Sequence, residues 1–132
     1  MKIAAITDDG QTISQHFGRA PYYIVVTIEN NQIVAREKRN KLGHAQFGGE
    51  THADQNDPRG HGFDATAQDR HTRMAEAIAD CQALLCGGMG AGAYESMRAR
   101  GIKPVVTDIS LIDEAVNAYV DGKIVDLVDK LH

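Results

Sequence analysis

A glycine-rich turn, GGMGAG at Gly87–Gly92, is the clearest candidate for binding chemistry in this sequence. It follows a short apolar run and opens a stretch with helical periodicity, so it joins a predicted strand to a predicted helix. Such a turn presents unpaired backbone N–H groups and the positive end of a helix dipole to an anion. Its spacing is not a clean dinucleotide fingerprint, because Ala93 stands where a third glycine is expected, and a Walker lysine is missing. Two interpretations of the turn remain: it binds an anion other than a nucleotide, or it is only a tight structural turn.

His16, in the segment SQHFGRA, is the second candidate, because it follows the end of the first predicted strand. In an open α/β sheet, ligands bind outside the carboxyl ends of the strands. If the first and fourth strands are parallel neighbours, His16 and the glycine turn lie at the same edge. Imidazole is the commonest metal ligand, and Arg19 could pair with an anionic ligand through two hydrogen bonds. The alternative is a packed histidine beside Phe17.

The segment from Asn40 to about Asp69 is predicted to be a long, polar, histidine-rich loop. It contains His44, His52 and His61 and has almost no apolar periodicity. Its length of roughly 30 residues is far above that of an ordinary connection, and such loops are usually functional or disordered. The histidine spacing matches no zinc-finger pattern, yet a loop of this kind can wrap a divalent metal. A metal site and a mobile, solvated loop both stay open.

Two cysteines and three acids complete the reactive side chains. Cys86 ends a predicted strand against the glycine turn, where a thiolate metal ligand is conceivable, whereas Cys81 is expected to be buried at a helix end. Asp8, Asp9 and Asp108 could gather at the same sheet edge as a hydrolytic two-metal arrangement. Asp-Asp-Gly is more simply a turn, and Asp108 more simply a helix cap.

Five strands and three helices must position these residues, in the order β-β-β-(long loop)-α-β-α-β-α. The first three strands predict a meander, and the later alternation predicts parallel strands with right-handed crossovers. A mixed sheet of about five strands, flanked by helices, follows. The predicted strands are Lys2–Thr7, Tyr22–Ile28, Gln32–Lys38, Ala83–Cys86 and Lys103–Thr107; the predicted helices are Thr72–Asp80, Ala93–Arg100 and one capped by Asp108 or Ser110 that reaches about Tyr119.

Composition predicts one cytoplasmic domain over residues 1–132. The formal net charge of −4, without a basic stripe, argues against nucleic acid as a partner. No apolar stretch approaches the roughly 18 residues of a membrane span, and the acidic N-terminal segment does not read as a signal peptide. Two cysteines cannot form a disulfide framework.

The strings SQHFGRAPYYIVV and GGMGAGAYESMRARGIKPVVTD together resemble the dinitrogenase iron–molybdenum cofactor biosynthesis family. The resemblance runs from Met1 to about Tyr119. It says nothing about the Asn40–Asp69 loop or the C-terminal tail. It implies a ribonuclease-H-like three-layer α/β fold. It also implies that a cofactor contacts the motif histidine and the glycine signature. The implied cofactor-binding residues are His16, Arg19, Gly87, Gly88, Met89 and Gly90.

From this resemblance we expect a non-catalytic carrier or chaperone of an iron–molybdenum or iron–sulfur type cluster, associated with nitrogen fixation. Its partners are then proteins that donate or accept the cluster. Two other classes are weighed against it. One is a module that binds or senses a divalent metal through the loop histidines, and the other is a hydrolase or nucleotide-binding enzyme that uses the acids and the glycine turn.

Overall fold

The computed structural model describes residues 1–41 and 65–131, with the backbone alone for residues 65–69 and 130. Its sheet has the strand order β3-β2-β1-β4-β5. Strands β1–β3 form the antiparallel meander, whereas β4 and β5 run parallel to β1. The predicted mixed five-stranded α/β sheet is confirmed. The strands are β1 Lys2–Thr7, β2 Tyr22–Glu29, β3 Gln32–Asn40, β4 Ala83–Cys86 and β5 Lys103–Val106.

Burial follows the position of each strand in the sheet. The central strand β1 is buried from Ile3 to Thr7, and β4 is buried throughout, as the continuous apolar runs of strands covered on both faces predict. β3 lies at the edge and is largely exposed, which suits its charged sequence. A two-residue turn with positive φ at Asn30 and Asn31 joins β2 to β3, so the predicted hairpin is confirmed.

The first helix, α1, occupies Ala65–Glu76 rather than the predicted Thr72–Asp80. Its first two turns carry good helix formers without an apolar stripe, so the search for periodicity missed them and assigned residues 65–69 to the loop. Of the apolar positions whose helical spacing predicted this helix, Met74, Ala75 and Ile78 are buried, whereas Ala79 is exposed. However, Ile78 lies in a turn after the helix, where its N–H donates to the carbonyl of Ala75 at 3.1 Å.

The helices after β4 and β5 begin at different residues from those predicted. Helix α2 spans Ala91–Ala99, starts two residues early, and ends before Gly101, whose φ of +80° is the left-handed conformation that glycine favours just after a helix. Helix α3 spans Ile112–Val120 and begins after Leu111, so neither Asp108 nor Ser110 caps it. Ser110 instead accepts a 2.7 Å hydrogen bond from the N–H of Ile13, which draws this connection into pairing with residues 11–13.

The tail after α3 packs along the outer edge of β5. Asp126 accepts hydrogen bonds from the Tyr94 hydroxyl at 2.6 Å and from the Val106 N–H at 2.8 Å. The Leu127 N–H donates to the Val106 carbonyl at 2.8 Å, and a short 3₁₀ helix, Val128–Lys130, follows. The tail thereby satisfies backbone groups that an edge strand leaves open.

Replacing Asp126 is expected to loosen this edge. Asp126→Ala removes the acceptor of two hydrogen bonds and should lower the free energy of unfolding by about 1–3 kcal/mol. The matched control is Asp129→Ala, since Asp129 is exposed nearby in the tail. Urea unfolding of both variants measures the difference, and equal stability would mean that the Asp126 contacts contribute nothing.

One hydrophobic core, built from buried residues of the sheet and all three helices, underlies these elements. No helix in the described part of the chain is long and apolar enough to cross a membrane.

Candidate functional site

The segment after β1 folds back across the carboxyl end of the sheet. Asp9 holds the turn, because its carboxylate accepts hydrogen bonds from the N–H groups of Gln11 and Thr12, both at 2.8 Å. These bonds hold the pKa of Asp9 at about 2, below its ordinary value. The Ser14 N–H then donates to the Ile6 carbonyl, and the Ser14 carbonyl accepts from the Gly87 N–H, both at 2.9 Å. Residues 11–14 thus join the end of β1 to the end of β4.

A tight turn at residues 16–20 follows, and it carries both sequence-predicted side chains of the site. The His16 carbonyl accepts hydrogen bonds from the N–H groups of Arg19 and Ala20 at 3.1 and 3.0 Å. The Phe17 N–H donates to the Gly88 carbonyl at 3.1 Å, and the Phe17 side chain is buried. His16 and Arg19 are exposed. Phe17 therefore packs the turn onto the protein, and His16 is left facing solvent.

The glycine turn meets this segment at van der Waals contact. A Cβ atom at Gly87 would lie 3.0 Å from both the Cα of Gln15 and the carbonyl oxygen of Ser14, which is tighter than most real Cβ contacts and would require these neighbours to shift. The absence of a side chain at Gly87 thus favours the close approach of the two segments. Gly90 caps α2 without a side-chain hydrogen bond, so the first N–H groups of the helix have no side-chain cap. Met89 is 1% exposed, so it is not accessible to a ligand in this structure.

The parallel pairing of β1 with β4 therefore brings His16, Arg19 and Gly87–Gly90 to one edge of the sheet, as the strand assignment required. An exposed imidazole, a guanidinium and the uncapped end of a helix suit an anionic, metal-containing ligand.

A model of the dinitrogenase iron-molybdenum cofactor family matches residues 1–122. The chain belongs to this family. None of the curated proteins matches it significantly. The match includes all of the secondary structure described above except the tail that covers β5.

Solved structures from this family's neighbourhood share the fold. The apo form of the orange protein from Desulfovibrio gigas superposes with a TM-score of 0.62 at 22% identity, covering 93% of this chain and 89% of that one. A candidate dinitrogenase from Methanocaldococcus jannaschii gives 0.60 at 15%, covering 96% and 94%. A candidate NifB protein from Thermotoga gives 0.55 at 18%, covering 96% and 92%. At these identities the likeness establishes the fold.

In this member of the family, neither cysteine presents a thiolate to the site. Cys86 is fully buried, with its Sγ 3.7 Å from both the Met89 Sδ and the Val105 carbonyl oxygen. Burial raises the pKa of Cys86 to about 12, so its thiol is neutral at physiological pH. Burial likewise raises the pKa of Cys81 to about 12. The geometry argues against the predicted metal-ligand role of Cys86.

The other predicted metal ligands divide into two groups. His44, His52 and His61 lie outside the described residues. Among the residues that are described, no group of three or more His, Cys, Asp or Glu side chains could hold a metal ion. In particular, Asp9 is engaged in its own turn, so the two-metal arrangement of acids is not found there.

Two residues near the site were missed by sequence reasoning. His71, on α1, lies beside the first turn of α2, with its Cε1 3.5 Å from where a Cβ of Gly92 would be. Its pKa is lowered by burial and by the charges of Arg100 and Arg70, which favours the neutral imidazole. Lys41, just after β3, donates a hydrogen bond to the Phe17 carbonyl. Both residues reach the site through contacts between segments distant in sequence, for which no local pattern exists.

Proposed function

We propose that this chain binds and carries a metal–sulfur cluster, of the iron–molybdenum cofactor or precursor type, without catalysing a reaction. The observation that carries the proposal is the pair of backbone hydrogen bonds, Gly87 to Ser14 and Phe17 to Gly88, that holds the exposed His16 against the uncapped glycine turn. Family membership supports the same cargo.

The donor set suits a cargo that must be released again. Four thiolates make a durable cluster site, whereas one imidazole with backbone N–H groups and a guanidinium makes a labile one. In this proposal His16 ligates a cluster metal, Arg19 pairs with the anionic cluster, and the N–H groups at the start of α2 face its sulfides. His71 offers a second neutral imidazole at the same edge. Proteins that donate and accept the cluster are the partners this role requires, and nitrogen fixation is the process we assign it to.

The alternative of a divalent-metal module gains no support from the described residues, since its histidines at positions 44, 52 and 61 lie elsewhere. Nucleotide chemistry is not favoured either, because the turn lacks a Walker lysine and follows an antiparallel meander rather than the βαβ units of a nucleotide-binding half.

Anaerobic loading of the His16→Ala variant tests the proposal. Loss of one ligand from a labile site should weaken cluster binding at least about tenfold, equal to about 1.4 kcal/mol. Since His16 is exposed and its ring makes no hydrogen bond or ion pair with the described residues, the midpoint of thermal unfolding should stay within about 2 °C of wild type.

Gln15→Ala is the matched control, because Gln15 is the exposed neighbour of His16 in the same turn and carries no imidazole. The cluster's visible absorbance, retained after gel filtration, reports binding. Normal loading of His16→Ala would overturn the assignment of His16. If His16→Ala instead unfolds at a clearly lower temperature than wild type and also loads poorly, His16 is a packing residue.

A further inference from the structure

Lys41 is a buried cation beside the His16 turn. It is 2% exposed, and its Nζ donates to the Phe17 carbonyl and lies 4.5 Å from the centroid of the Phe17 ring. Both partners are neutral. None of the ion pairs found in the described part of the chain involves Lys41. Buried lysines are ordinarily paired with an anion, because taking a bare ammonium out of water is costly.

A cavity of about 310 Å³ is lined in part by Lys41. Its volume lies at the lower end of the range for small-molecule sites. The described residues that line it include two cations and two neutral polar side chains but no acid: Gly18, Arg19, Ala20, Pro21, Tyr22, Asn40 and Lys41. Within residues 1–41 and 65–131, the charged groups that act on Lys41 are Asp8, which is exposed just after β1, and Arg70 on α1. In that part of the chain, cations therefore outnumber acids around the cavity.

We propose that the cavity between Arg19 and Lys41 is a binding site for a small oxyanion, with phosphate-like or carboxylate-like oxygens. The guanidinium of Arg19 offers a planar pair of donors that matches two oxygens, and Lys41 supplies a compact charge from the interior. The amide of Asn40 and the hydroxyl of Tyr22 provide further donors. This site shares Arg19 with the proposed cluster site, so it is tested in the cluster-free protein.

The oxyanion would also act on the presentation of His16. Lys41 already holds the Phe17 carbonyl, and the Phe17 N–H is held by Gly88, so the turn is fastened from both sides. An anion bound to Lys41 and Arg19 would hold the side chain that contacts the Phe17 carbonyl and also a residue of the turn itself. Binding would therefore order the turn that carries His16.

The test is a titration of the cluster-free, full-length wild-type protein, followed by ¹⁵N NMR, with sodium phosphate, sodium sulfate and sodium acetate in separate arms. Sodium chloride keeps the ionic strength constant in all three. We expect the amide signals of Gly18, Arg19 and Ala20 to shift saturably at millimolar concentration or below. Stronger binding of phosphate and sulfate assigns a tetrahedral anion, and stronger binding of acetate assigns a carboxylate.

Lys41→Met should weaken the binding at least tenfold. Lys103→Met makes the same change of charge at an exposed site on β5 and should leave the affinity unchanged. If Lys41→Met fails to fold, Lys41→Gln, which keeps a donor for the Phe17 carbonyl, takes its place. Linear shifts identical to those with chloride, or equal affinity in the Lys41 variant, would overturn the proposal. Cluster loading is measured separately, so that result would leave the carrier function intact.

Discussion

Gly87→Ala is expected to lower the free energy of unfolding by about 2–3 kcal/mol and to impair cluster loading at the same time. The added methyl group would meet the Cα of Gln15 and the carbonyl oxygen of Ser14 at 3.0 Å, and both are backbone atoms that cannot rotate away. The segment must move, which breaks or lengthens the 2.9 Å bond from Gly87 to Ser14. Overpacking at a rigid contact typically costs about 1–3 kcal/mol, and the strained hydrogen bond adds to it.

Gly90→Ala is the matched control for this variant. No atom of the described residues lies within 4 Å of a Cβ at Gly90, and its φ of −76° is ordinary for any residue. Its cost should be about 1 kcal/mol, because alanine is a poorer helix cap than glycine and no steric clash adds to that loss. Urea unfolding gives the stabilities, and retained cluster absorbance gives the loading. Equal stability of the two variants would show that the contact between the glycine turn and the His16 segment is loose.

Strand identity and the location of the site could be predicted because both depend on short-range patterns and one topological rule. The aromatic and β-branched run at Tyr22 predicts a strand, and apolar runs that end at Thr7 and Cys86 predict buried ones. Once β1 and β4 are parallel neighbours, their carboxyl ends must meet. That rule places the His16 segment at the same edge as Gly87, and the hydrogen bonds of Ser14 and Phe17 bring the two together.

The misplaced ends of α1 and α3 have two different physical reasons. Periodicity reports burial rather than helical hydrogen bonding, so Ile78 extended the predicted α1 beyond its true end at Glu76. Local capping rules failed at α3 because Ser110 is held by Ile13, a residue almost a hundred positions away.

Lys41 shows what a single sequence conceals about the site. In the segment REKRNK it looks like one more solvated lysine, and its neighbours Arg36, Lys38 and Arg39 carry charges exposed to different extents. Burial singles it out, through the approach of the Phe17 turn from a different strand connection. A buried charge with neutral partners is a cost to stability.

That cost gives a second large effect, which appears as a dependence of stability on pH. Burial lowers the pKa of Lys41 to about 8, from 10.5 in the unfolded chain. Between those values the unfolded chain binds the proton and the folded protein does not, so stability from this group rises with pH. Below pH 8 the folded protein carries the full cost of a buried ammonium, and above pH 10.5 it carries none.

Urea unfolding at pH 7 and pH 10 gives the difference in free energy of unfolding between wild type and Lys41→Met. From pH 7 to pH 10 this difference should shift by about 2–3 kcal/mol in favour of wild type. The raised pKa values of Cys81 and Cys86 make the folded state less stable above pH 9, where the thiols of the unfolded chain ionise first. Wild type and Lys41→Met share both cysteines, so this effect cancels in the difference between them. Lys103→Met should show no such shift, because Lys103 is exposed. A constant difference between wild type and Lys41→Met would mean that Lys41 is not a buried ammonium. Saturating oxyanion should reduce the shift, because an anion in the adjoining cavity stabilises the charged form of Lys41 and raises its pKa.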